Sequence, residues 1–165
     1  MHVSASPSFQ TAGNLKVDVA AGPIARMFAA EEWLDPTNAG GGAVFAGHAK
    51  DVIENIEREF EPGNAPDGLF NLDAHIYDVA SGHPVPYLDV HADVRRGSEQ
   101  LFSDILLVPV ARPRKGAAGL HYGNNVALDP RGRYQVIVTI APGALSGLAE
   151  PTTLEYTLDF DHPDR

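Results

Sequence analysis

Histidine and aspartate are the side chains of this sequence whose spacing could serve metal binding, and its 165 residues include seven His and 22 acidic side chains but no Cys. Without thiolates, disulfides and iron–sulfur clusters are excluded, and a metal must be held by His, Asp, Glu, Met or main-chain oxygen. Asp73 and His75 stand two apart in FNLDAHIYDV (70–79). On a strand both side chains leave one face, about 7 Å apart along the chain. YLDVHADV (87–94) repeats the pattern with Asp89 and His91. If the intervening ASGHPVP is a hairpin turn, neighbouring strands present two carboxylates and two imidazoles, a donor set for a divalent ion. The plain alternative is the wet face of an antiparallel sheet. His121 stands in GLHYGNN (119–125), which reads as a Gly- and Asn-rich loop. There an imidazole serves as ligand or hydrogen-bond donor, or merely caps loop carbonyls.

Other chemistries find little support. No G-x-S-x-G elbow, H-E-x-x-H helix or Walker loop occurs, and the glycines at 40–42 do not match a dinucleotide fingerprint. The chain therefore reads as a binding protein and not as an enzyme. Its net charge of −10 repels a phosphate backbone, so no nucleic-acid partner is expected. No apolar run approaches the roughly 20 residues that cross a bilayer. Residues 1–14 lack the basic and apolar regions of a leader peptide, which fits a cytoplasmic protein or one whose leader has been removed.

Two-residue alternation dominates the elements that must position these groups. LKVDVA (15–20), FNLDAHIYDV, YLDVHADV, RYQVIVTI (133–140) and LEYTLDFD (154–161) read as half-buried strands, and DILLVPVA (104–111) as one strand apolar on both faces. Residues 1–14 are small and polar and read as a flexible arm, leaving 15–165 as one domain. A short helix is expected over 24–34. A stronger one is expected over 48–61, where Ala49, Val52, Ile53, Ile56 and Phe60 recur at steps of three and four. The predicted fold is mainly β, an antiparallel sandwich with one inserted amphipathic helix.

The strand LDAHIYD, the segments VPYLDV and LLVPVA, and above all LHYGNNVAL followed by GRYQVIVTIAP resemble the periplasmic iron-transport-associated family. Its members are dimeric immunoglobulin-like metal-binding proteins that accompany high-affinity iron permeases. The resemblance implies an immunoglobulin-like sandwich, an extracytoplasmic location, a homodimer, a membrane iron permease as partner, and Cu2+ or Fe2+ as the bound ion. It gives His121 the role of the family's HYG-loop ligand and Asp73 that of its glutamate. Other family ligands are replaced. Asn71 stands where the family has a histidine, Arg114 or Val110 where it has a methionine, and residues 141–153 hold no His.

Two readings follow. In the first, a non-catalytic protein for iron or copper handling binds metal through His121, Asp73, His75 and His91. In the second, the same scaffold has lost its metal and serves as an accessory or protein-interaction module. If the histidines are ligands, affinity falls between pH 7 and 5 as imidazoles near their ordinary pKa of about 6.5 take up protons.

Overall fold

The computed structural model describes residues 2–23, 26–28, 43–45 and 68–162. They form a mainly β structure of two facing sheets. The first contains β1 (Val3–Ser4), β2 (Gln10–Ala12), β3 (Leu15–Pro23), β4 (Arg26–Phe28), β5 (Ala43–Phe45), β6 (Leu69–Asp78), β9 (Val108–Ala111) and β10 (Leu120–Ala127). Its order is β1-β3-β6-β10-β9-β5-β4, with β2 also on β3. The second contains β7 (Val90–Arg96), β8 (Glu99–Leu106), β11 (Arg133–Ile140) and β12 (Thr152–Asp159) in the order β12-β11-β7-β8. Pairings are antiparallel except that of β4 with β5.

The alternation read from the sequence supplies the core. Val17 and Val19 of β3, Leu72, Ala74 and Ile76 of β6, Val90, Ala92 and Val94 of β7, and Val136, Val138, Leu154 and Leu158 of β11 and β12 interdigitate between the sheets. Two buried tyrosines fasten the layers. The Tyr156 hydroxyl donates to the Val17 carbonyl at 2.8 Å, joining the sheets directly. The Tyr122 hydroxyl donates to the Val85 carbonyl at 2.6 Å and accepts the Leu88 N–H at 2.9 Å.

Several expectations are corrected. The hairpin joining the Asp73 and Asp89 strands does not form, because β6 and β7 lie in different sheets. After the turn at 79–83 the chain keeps one bridge to β6, Tyr77 to Pro84. Pro84 and Pro86 have no N–H with which to extend that ladder. The segment 85–88 instead crosses the core edge, held by Tyr122. The run 104–111 is two strands, β8 and β9, in opposite sheets. It is apolar on both faces because buried Leu107 carries it from one sheet to the other.

All of GLHYGNN but its first residue, Gly119, is strand in the middle of the first sheet, not a loop. The N-terminal arm is structured too. Val3 and Ala5 are buried, Val3 pairs with Ala21, and Ser6 exchanges backbone bonds of 2.8 Å with Thr157 of the other sheet. Of the helix expected over 24–34, residues 26–28 are strand. The helix expected over 48–61 lies outside the described residues.

Tyr122→Phe strands the Leu88 N–H and the Val85 carbonyl, and Tyr156→Phe strands the Val17 carbonyl together with the Gln10 backbone group that bonds the same hydroxyl. Urea denaturation is expected to show a loss of about 2 kcal/mol for either variant. No measurable loss for Tyr122→Phe would contradict its assignment as the anchor of the crossing.

Candidate metal centre

On the face of the first sheet turned away from the core, β6 presents Asn71, Asp73, His75 and Tyr77. Neighbouring strands set what surrounds them. Asp73 pairs with Ala20 on β3 and with Gly123 on β10, while His75 pairs with Asp18. On β10, His121 points to the same face, with Val110 of β9 as its partner on the far side. A sheet face of this composition is ordinarily wet, yet Asn71, Asp73 and His121 are at most 3% exposed.

The HYG tripeptide has a separate task for each residue. His121 supplies the imidazole, and Tyr122 points into the core to hold the crossing segment. Gly123 makes room: a Cβ there lies 2.8 Å from Asp73 Oδ1 and 3.0 Å from Asn71 Oδ1. The carboxylate and amide thus occupy the space that a side chain at 123 would fill.

The hydrogen bonds fix the electronic state of the pair. Nδ1 of His121 lies 2.8 Å from the Gly119 carbonyl, which can only accept, so Nδ1 carries the proton. The bare Nε2 then faces Asp73 Oδ1 at 3.5 Å. Neither atom has a hydrogen-bond partner among the described residues, nor does the Asn71 side-chain amide. Asp73 Oδ2 accepts from the Arg112 guanidinium at 3.1 Å.

Burial displaces both titrations. It raises the Asp73 carboxyl from 3.8 to about 6, with Arg112 opposing the rise. It lowers the His121 imidazole from 6.5 to about 4, opposed by the bond to Gly119. At pH 7 an ionised carboxylate and a neutral imidazole therefore turn lone pairs toward each other. A proton or a metal ion relieves that arrangement, and an imidazole held through Nδ1–H to a carbonyl is the usual support of a metal-ligating Nε2. The donor set fits a divalent ion of imidazole and oxygen preference, with the Asn71 carbonyl oxygen nearby.

His75 is adjacent but differently aimed. Its Nδ1 is 2.9 Å from Asp18 Oδ1, and its ring stacks on that of His121 with centroids 5.3 Å apart and planes at 27°. Rings so nearly parallel do not aim nitrogen lone pairs at one point.

His91 is elsewhere. It projects from β7 of the second sheet, across the core, between Asp89 (2.9 Å from Nε2) and Asp104 (2.8 Å from Nδ1). The four-residue set expected from a hairpin is therefore split into two places. Among the described residues, no group of three or more His, Asp or Glu side chains is arranged to hold a metal ion. Arg112 and Gly123 were missed by sequence reasoning. The cluster RPRKG gave the one available hint of a cation, and a glycine inside a strand is a known sign of close approach.

Residues 72–160 match the family described as Fe2+ transport protein, and this stretch is more than half of the chain. The chain belongs to that family. Among solved structures, it is similar to FetP of uropathogenic Escherichia coli strain F11, as isolated after recombinant expression in the periplasm of E. coli BL21(DE3). The identity is 16% and the TM-score 0.58, over 96% of this chain and 95% of that one. A copper-bound variant of the same FetP is similar at 17% identity and a TM-score of 0.56, over 95% of each chain. These likenesses show a shared fold. No curated protein matches the chain.

Two glycine substitutions probe how the site is held. Gly123→Ala presses its Cβ against the Asp73 and Asn71 side-chain oxygens, with the Leu72 carbonyl oxygen at an ordinary contact distance of 3.4 Å, so a loss of about 1–2 kcal/mol is expected, with Asp73 forced off His121. Gly119→Ala places a Cβ 2.4 Å from the Arg112 carbonyl oxygen. Backbone cannot yield so easily, and a loss of more than about 2 kcal/mol is expected there. Thermal unfolding ranks the two, and a reversed order would contradict this account of how the site is held.

Proposed function

We propose that this chain is a non-catalytic binding protein for a divalent iron or copper ion, held by His121 Nε2 and Asp73 Oδ1. The observation that carries the reading is the pair of buried lone pairs, without hydrogen-bond partners among the described residues, that face each other at 3.5 Å. Membership of the Fe2+ transport family supports it, as does the copper bound by a FetP variant of similar fold. His75, with its Nδ1 engaged by Asp18, keeps Nε2 for an ion arriving from solvent and serves as the first contact. His91, with Asp89, belongs to a separate, more exposed place. In this reading the protein works outside the cytoplasm, as a homodimer, and passes its ion to a membrane iron permease. Light scattering tests the dimer, and a monomeric mass across the micromolar range would remove it.

Two observations favour the second reading, a metal-free interaction module. Arg112 already neutralises Asp73, and Asn71 stands where the resembling family has a histidine. Elemental analysis of protein purified without chelator separates the two, since stoichiometric metal contradicts the module.

The pH dependence tests the ligands themselves. His121 stays neutral down to about pH 4, so its protonation does not weaken binding between pH 7 and 5. Asp73 gains its proton below about pH 6. A bound ion must displace that proton, so affinity is expected to fall about tenfold per pH unit below 6. In Asp73→Asn the profile flattens, at lower affinity throughout. Calorimetric titration with Cu2+ at pH 7, 6 and 5 measures this. A wild-type profile that is flat, or one unchanged by Asp73→Asn, counts against Asp73 as ligand.

A further inference from the structure

Arg112 touches the supports of both proposed ligands without being a ligand. Its backbone N–H donates at 3.0 Å to the Gly119 carbonyl, the same oxygen that fixes the proton on His121 Nδ1. Its guanidinium lies 3.1 Å from Asp73 Oδ2. The partners differ in freedom, since the Arg112 side chain is 40% exposed and that of Asp73 only 5%. The cation sits at the end of a long flexible stem reaching solvent, whereas the carboxylate is fixed within the sheet. Of the two, the guanidinium is the group able to leave.

We propose that Arg112 is an internal competitor for Asp73, which sets the metal affinity of the site and selects imidazole-seeking ions over oxygen-seeking ones. The inference rests on the metal-binding reading of Asp73 and His121. With Oδ2 engaged, Asp73 offers a single oxygen, Oδ1, and carboxylate and guanidinium together carry no net charge. An ion such as Mn2+, bound mainly through carboxylate oxygens, loses most of its attraction to the site. An ion such as Cu2+ keeps the contribution of His121 Nε2 and stands far higher in intrinsic affinity for nitrogen ligands. Arg112 thus weakens both ions but weakens Mn2+ more. Its exposed stem gives the ion-loaded site somewhere to send the displaced cation.

The test compares Cu2+ and Mn2+ binding by calorimetry at pH 7 for the full chain and its Arg112→Gln and Arg112→Lys variants. Removing the cation is expected to raise Mn2+ affinity about tenfold and Cu2+ affinity about two- to threefold, in line with the loss of one charge-assisted hydrogen bond. The Cu2+ over Mn2+ preference therefore narrows several-fold in the Gln variant. The Lys variant, which keeps the charge, returns it toward wild type. Circular dichroism confirms the fold, and Arg112→Met, which keeps the apolar stem, replaces the Gln variant if that one unfolds. A preference unchanged on removing the charge, or weaker binding of both ions, overturns the proposal while wild-type Cu2+ binding leaves the metal reading standing. Absence of Cu2+ binding by wild type, or binding unchanged in His121→Ala, overturns the metal reading and this inference with it.

Discussion

The pairing of Gly123 with Asp73 is the constraint on which the site depends. Only a residue without a Cβ lets the carboxylate lie across the neighbouring strand, and only there does Oδ1 come within 3.5 Å of His121 Nε2. The register that makes this pair also places Tyr122 opposite Ala74, on the core side. A slip of one residue would turn the imidazole into the core and the phenol onto the site face. Fold and site are therefore fixed by one alignment of β10 against β6.

The cluster beside Gly123 violates the rule that buried polar atoms are paired. Lone pairs on Asp73 and His121 without hydrogen-bond partners among the described residues weigh against stability, and burial moves the two titrations past each other. The proton that would sit on histidine in the unfolded chain sits on aspartate in the folded one near pH 5. Native proteins keep such local conflicts mainly where function requires them. Part of the conflict is relieved by Arg112, which covers one carboxylate oxygen and leaves the other bare.

The rest of the architecture keeps this arrangement rigid. The crossing from β6 to β7 is tied to β10 through Tyr122, so the strand carrying His121 also closes the edge of the core. The N-terminal segment laces the two sheets through Ser6 and Thr157. Leu107 carries the chain from the second sheet back into the first, which brings Arg112 to the end of β9, beside the site.

Alternation alone settled where β3, β6, β7, β11 and β12 lie, because a strand buried on one face must repeat every two residues. Residue type alone pointed to Asp73 and His121, and the absence of cysteine limited any metal to nitrogen and oxygen ligands. Partnership was beyond such reading, since a period of two is the same whichever strand lies alongside. Hence Asp89 and His91 looked like neighbours of Asp73 although they belong to the other sheet. GLHYGNN looked like a loop because its glycine and asparagines are turn formers, and only the side chains of Asn71 and Asp73 across the ladder explain why a glycine suits a strand there. Arg112 reaches Asp73 through a turn of the sheet that no local pattern records. Tertiary structure alone decided which lone pairs face each other, because that depends on distances between strands far apart in sequence.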